Sequence, residues 1–275
     1  MSKPSAILMG SKPGSVVALA VMIERGWKIK AVVVPQRAAH PWIASPTLEH
    51  CARTRNIPVL PQAGLSERHG ADFVISYMFR SRVRPEVLSL ASRAAVNFHA
   101  APLPEFGGWA FYSVAILEQA QVYGCTCHHM DENFDTGPLL KVRRFPVDTW
   151  RETACSLEEK TQAEMVRLFV DFCEIAESGE PLPSEPQDPA RMRYLTRAQF
   201  DALKRIPANA DAETIERYAR AFWYPPYPCA QIAAGGQVAE VVPGIVREEL
   251  AALLHARDLE KLAAVAASCC PQAVR

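Results

Sequence analysis

The chain has 275 residues, 49% hydrophobic and 22% charged, with 30 Lys and Arg balancing 30 Asp and Glu. That composition excludes a disordered or membrane-embedded chain and leaves room for one sizeable core plus a smaller appended unit. It also removes the simplest electrostatic argument for a nucleic-acid partner, although a local basic patch can sit on a neutral protein.

The opening stretch, MSKPSAILMGSKPG, holds one short apolar run that breaks at Gly10, shorter than a secretory or membrane segment, so a cytoplasmic protein is expected. Apolar runs then alternate with helical patterns: SAILMG, SVVALAVMIERG, KIKAVVVP, TLEHCARTRN and IPVLP read as a βαβαβ beginning. DFVISYMF, a helical stretch ending near SLAS, and AAVNFH continue it. This alternation predicts an α/β fold, a doubly wound, mostly parallel Rossmann-like sheet. GSKPGS, between the first strand and first helix, reads as a phosphate cradle or a simple tight turn. It lacks the Gly-Lys-Ser/Thr ending of a P-loop and the spacing of a dinucleotide fingerprint.

A helix is predicted at WAFYSVAILEQA, then two antiparallel strands, GCTCHHMD and PLLKVRRFPV, joined through ENFDTG. In TACSLEEKTQAEMVRLFVDFCEIAESG, spacings of three and four put Leu157, Met165, Leu168, Phe169 and Phe172 on one inner stripe. This long helix closes a first domain over residues 1–180. The Pro-rich, acidic segment 180–190 reads as an extended linker wrapping the surface. A small α+β region over 191–275 follows. It comprises helices near RAQFDALKR and TIERYARAF, the turn-rich WYPPYP, a hairpin about Gly235-Gly236, and an amphipathic terminal helix from EELAALL.

Eight cysteines, mostly inside apolar runs, suit reduced buried thiols rather than a disulfide framework; Cys269 and Cys270 fall in a tail. In CTCHH, strand alternation points Cys125, Cys127 and His129 one way and Thr126 and His128 the other, which suits structural thiols better than one tetrahedral metal site. His40, His50, His69 and His255 have no visible partners and read as surface residues.

The stretch NFHAAPLPEFGGWAF carries the chemistry. Asn97 and His99 project to one strand face and Val96 and Phe98 to the other, and the proline turn beyond ends the strand where doubly wound sheets bind ligands. Two readings are open: a polar pair satisfying loop carbonyls, or part of an active site. Asp135, in MDENFDTG, either caps its own turn or supplies a carboxylate that orients an imidazole.

Taken together, NFH…LPEFGG…AIL…GCTCHHMDENFDTG resembles the folate-dependent formyltransferase family, which includes methionyl-tRNA, glycinamide ribonucleotide and sugar-nucleotide N-formyltransferases. Order and spacing match across roughly residues 72–175. The resemblance implies an enzyme that moves a formyl group from 10-formyltetrahydrofolate to a primary amine, with Asn97, His99 and Asp135 catalytic and no metal required. It puts the folate against Ser81, Arg82, Val83 and Asp131, Glu132, Asn133, Phe134 and Asp135, with Trp109 nearby. His128 stands at the position of the family's own His, on an ordinary strand.

There are departures: Ala100-Ala101 replace a Pro-Ser, and Gly107 stands where a Tyr-Arg-Gly element has its arginine. The tail, YARAFWYPPYPCAQI, resembles the region after the catalytic domain in sugar-nucleotide N-formyltransferases, which implies a nucleotide-linked amino sugar as acceptor and a homodimer. The alternatives are a methionyl-tRNA formyltransferase and a non-catalytic folate-binding relative. No dense Lys and Arg run in 191–275 supports a tRNA surface.

Overall fold

The computed structural model describes residues 3–35, 46–79, 81–109 and 111–252. His40, His255, Cys269, Cys270 and most of the expected terminal helix lie outside them. In chain order the main elements are β1 (Ser5–Gly10), α1 (Pro13–Glu24), β2 (Lys28–Val33), α2 (Leu48–Arg53), β3 (Ala71–Tyr77), α3 (Pro85–Leu88) and β4 (Ala91–His99). There follow β5 (Gly107–Gly108), α4 (Phe111–Leu117), β6 (Val122–His129), β7 (Leu139–Pro146) and α5 (Ala154–Ser178). The last are β8 (Tyr194–Leu195), α6 (Arg197–Leu203), α7 (Ala212–Ala221), β9 (Ala230–Ala234) and β10 (Gln237–Val241).

Six strands form one sheet in the order β2-β1-β3-β4-β6-β7, with β2, β1, β3 and β4 parallel and β6 reversed. Both faces are covered, which is why β1 is nearly continuous in apolar residues. On one face Phe73, Tyr77 and Phe98 meet Phe169 and Phe172 of α5, with ring centroids 5.1 to 6.1 Å apart. Each fully buried ring contributes on the order of 2 kcal/mol of hydrophobic stabilisation. The α5 stripe, Leu157, Met165, Leu168, Phe169 and Phe172, is buried as its spacing predicts. On the other face Ile7, Met9, Val33 and Val74 are covered by Phe79, Val83 and Met130 among others.

Two expected elements are smaller than their patterns suggest. IPVLP makes one parallel bridge, Val32 to Val59, rather than a strand, so the third strand of the unit is β3. The helix before β4 is a single turn that opens on Pro85. GSKPGS is a turn closed on itself: the Ser15 backbone N–H and hydroxyl both donate to the Lys12 carbonyl, and the Lys12 ammonium pairs with Glu158 at 2.7 Å.

The proline-rich segment after α5 is extended and lies against β7, where Glu185 exchanges two backbone hydrogen bonds with Leu139. Just beyond it, β8 pairs in parallel with β5, and α7 packs on α4. The hairpin about Gly235 and Gly236 is present as β9 and β10.

Candidate functional site

The site grows from three neighbouring strands. The registers place Ser76 of β3 beside Asn97 of β4, and Asn97 beside His128 of β6. Their side chains form a row: the Ser76 hydroxyl donates to Asn97 Oδ1 at 2.7 Å, and Asn97 Nδ2 lies 3.0 Å from His128 Nε2. His128 Nδ1 is 2.7 Å from the His129 carbonyl, an acceptor, so it carries the ring proton. Nε2 then accepts, and Asn97 must present its amide nitrogen. One N–H of Asn97 serves His128, and the other has no partner among the described residues.

Burial pushes the His128 imidazole down to about 4, against the pull of the Asp135 carboxylate, with His99 adding to the depression. His128 is therefore a neutral acceptor near pH 7, fixing the orientation of Asn97.

Two residues along β4, the buried His99 ring packs edge-on against Phe111 at 4.8 Å. Its Nε2 donates to the Phe106 carbonyl at 2.8 Å, and its Nδ1 faces Asp135 Oδ1 at 3.5 Å. The ring thus meets acceptors at both nitrogens. The same Asp135 oxygen is 3.8 Å from His128 Nε2, so Asn97, His99, His128 and Asp135 form one continuous polar patch.

Asp135 sits at φ 58°, a left-handed conformation uncommon for a residue with a side chain. Its Oδ2 accepts the Gly108 N–H at 2.9 Å. Gly108 is at φ 85°, and a Cβ there would lie 2.4 Å from the Leu195 carbonyl. At Gly107 a Cβ would lie 2.9 Å from the Arg193 carbonyl, 3.6 Å from the Tyr194 ring and 3.8 Å from Asp135 Cβ. A side chain at Gly107, where the resemblance expects an arginine, would thus meet the Arg193 backbone and the Tyr194 ring. Phe106, Gly107, Trp109, Phe111 and Tyr194 line a groove of 190 Å³ beside this point.

The other sequence-selected residues fall on two facing loops. Arg82 donates to the Glu132 carbonyl at 2.6 Å, joining segment 81–84 to loop 131–135, and Gln62 clamps the Arg82 carbonyl and the Arg84 N–H. Asp131 orders its own loop through the Asn133 N–H and the Thr136 hydroxyl, both at 2.8 Å. Val83 packs on the lesser core cluster, Ser81 is exposed, and Phe134 is half exposed. Trp109 stands on the β5 side of the patch under the Arg197 guanidinium, its backbone N–H donating to the Leu195 carbonyl.

A larger cavity of 390 Å³ lies away from this patch, lined by Arg93, His129, residues 179–182 and Ser184. Both of its ring or guanidinium groups are engaged, Arg93 with the Ala176 carbonyl and His129 with Pro183.

Among the described residues no group of three or more His, Cys, Asp or Glu is arranged to hold a metal. Burial drives the Cys125 thiol up to about 12 and raises the Cys127 thiol as well, so both stay protonated. No described helix is long and apolar enough to cross a membrane.

Sequence reasoning alone missed Ser76, Gln187 and Tyr194, and left His128 on an ordinary strand. The signal for His128 was an antiparallel strand facing β4, but its register is not written in either strand.

The site is a polar patch of Asn, His and Asp at the carboxyl end of a central strand, in a doubly wound α/β sheet with a reversed strand beside it. The profile of the Formyl transferase family matches residues 19–172, and the chain belongs to that family of enzymes. It is 28% identical over 255 residues to a methionyl-tRNA formyltransferase of Myxococcus xanthus, covering 88% of this chain and 79% of the relative. It is 29% identical over 198 residues to a GDP-perosamine N-formyltransferase of Brucella melitensis, covering 70% and 74%.

Solved structures share the fold. An N-formyltransferase from Helicobacter canadensis, in complex with folinic acid and dTDP-3-aminofucose, superposes with TM-score 0.69 at 19% identity, over 84% of each chain. A 4-N formyltransferase from Francisella tularensis gives 0.68 at 14%, over 87% of this chain and 96% of that one.

Proposed function

We propose that the protein transfers the formyl group of 10-formyltetrahydrofolate to the amine of a nucleotide-linked amino sugar, with Asn97, His99 and Asp135 as the catalytic unit. The observation that carries this is the convergence of those three side chains at the end of β4 in a member of the formyl transferase family.

The acceptor amine attacks the formyl carbon, giving a tetrahedral intermediate whose oxygen bears the charge. The free N–H of Asn97 donates to that oxyanion, in an orientation preset by Ser76 and neutral His128. With Nδ1 kept against Asp135, His99 turns Nε2 from the Phe106 carbonyl to the substrates and carries the proton from the attacking amine to the folate nitrogen as the carbon–nitrogen bond breaks, leaving tetrahydrofolate and the formamide. Asp135 orients the imidazole and balances its charge. The folate lies against the joined loops 81–83 and 131–135, where backbone groups meet the pterin edge, with Trp109 near it. No step uses a metal.

The acceptor reading draws on the neutral chain and the two-stranded hairpin with short helices that make up described residues 191–252, where no barrel occurs. Exposed Val238, Val242 and Leu250 on and beyond β10 suit a homodimer contact. The second reading, a methionyl-tRNA formyltransferase, is favoured by the coverage of the M. xanthus relative.

The test is release of tetrahydrofolate with dTDP-3-aminofucose, GDP-perosamine or charged initiator tRNA as acceptor, at several salt concentrations. Turnover of a sugar with weak salt dependence is expected. Efficient tRNA formylation with a steep salt slope and no sugar turnover would overturn the acceptor assignment.

A further inference from the structure

The segment that leaves α5 returns over the β6–β7 loop, and one side chain of it enters that loop. Gln187 Nε2 donates to the carbonyls of Asp135 and Gly137, both at 2.8 Å. Two acceptors about one atom identify it as the amide nitrogen, and both of its N–H groups are used. Gln187 Oε1 is buried with no hydrogen-bond partner, so the side chain is held by what it donates.

Asp135 needs such support. Its φ of 58° is left-handed, a conformation that Asp tolerates better than most residues with a side chain but that still costs energy and persists where surroundings hold it. The Gly108 N–H holds the carboxylate from the β5 side, and Gln187 holds the backbone from the other. The margin is small, because the 3.5 Å between Asp135 Oδ1 and His99 Nδ1 is already longer than a charge-assisted hydrogen bond of about 2.8 Å.

We infer that Gln187 is a positioning residue: it acts through the Asp135 backbone to keep the carboxylate against His99, and so makes the segment after the catalytic sheet a working part of the site. This rests on Asp135 being catalytic. The backbone pairing of Glu185 with Leu139 does not involve the Gln187 side chain, so the segment stays docked when that side chain is cut back.

The test combines Gln187→Ala, Gln187→Glu, Asp135→Asn and the double variant Q187A/D135N. Turnover is followed as tetrahydrofolate release from 10-formyltetrahydrofolate with hydroxylamine as a minimal amine, and the His99 ring by ¹⁵N NMR, assigned with His99→Gln. Q187A is expected to lose ~10- to 100-fold in kcat, the scale of displacing a catalytic group by about 1 Å, and to move the His99 ring signals toward those of D135N. Q187E, which offers both carbonyls an acceptor instead of a donor, is expected to do no better. In the D135N background Q187A should change kcat by less than about twofold, because residues acting as one unit are not additive. Unmoved His99 signals in Q187A, or equal losses in both backgrounds with D135N itself impaired, would overturn the role of Gln187 and leave Asp135 standing. A fully active D135N would remove the catalytic reading and this one with it.

Discussion

Replacing Gly108 with alanine tests how the C-terminal segment is built into the site. Gly108 is at φ 85°, where a residue with a Cβ costs about 1 to 2 kcal/mol. The added carbon would also lie 2.4 Å from the Leu195 carbonyl and 3.0 Å from the Leu195 nitrogen, both backbone atoms that no rotamer can move. Restoring ordinary contact requires β8 to retreat by about 1 Å, which weakens the Trp109-to-Leu195 and Gly107-to-Arg193 hydrogen bonds at about 1 kcal/mol each. Gly108→Ala is therefore expected to destabilise by roughly 3 to 4 kcal/mol. It should also impair turnover, since the Gly108 N–H holds Asp135 Oδ2. Gly235→Ala is the control, because it is at φ 58° with nothing within 4 Å of the new carbon, so only the conformational cost applies. Urea unfolding of both variants at neutral pH separates the clash from the backbone term. Equal destabilisation by the two would refute the reasoning.

Stability should fall with acidity through His128. Burial holds its folded pKa at about 4, below the ordinary 6.5, so as pH drops from 6.5 to 4 the unfolded chain takes up the proton first. The native state then loses up to about 3 kcal/mol over that window, and no more below it. In urea unfolding at pH 7 and pH 4.5, His128→Asn should show a shallower loss than the parent; identical slopes would contradict the neutral assignment. Turnover should survive a chelator and a reductant together, since the proposed mechanism uses no metal and the described cysteines are unpaired. Stoichiometric zinc lost along with activity would oppose that.

Much of this was legible because it is local. The α5 stripe, the antiparallel β6 and β7, and the shared face of Asn97 and His99 all follow from side-chain periodicity over a few residues. What was not legible depends on register and on distant pairing. His128 is opposite Asn97 only because β6 docks antiparallel in one register, and a slip of one residue would have presented Cys127 or His129 instead. Gly107 reads as a missing arginine until β8, more than 80 residues later, is seen to fill the space. A two-residue strand such as β8 has no periodicity to betray it. Gln187, in a proline-rich stretch that reads as a connector, enters the site only through its side chain.

The central claim is that Asn97, His99 and Asp135 act as one catalytic unit in formyl transfer, and single-turnover kinetics of folded variants tests it most directly. With enzyme in excess over 10-formyltetrahydrofolate and a fixed amine acceptor, the rate of tetrahydrofolate appearance should fall by ~10²-fold or more in His99→Ala, the scale for a general acid-base group. It should fall by roughly 10²- to 10³-fold in Asn97→Ala, as for an oxyanion donor. A rate near the parent's in either variant, with an unchanged unfolding midpoint, would contradict the account.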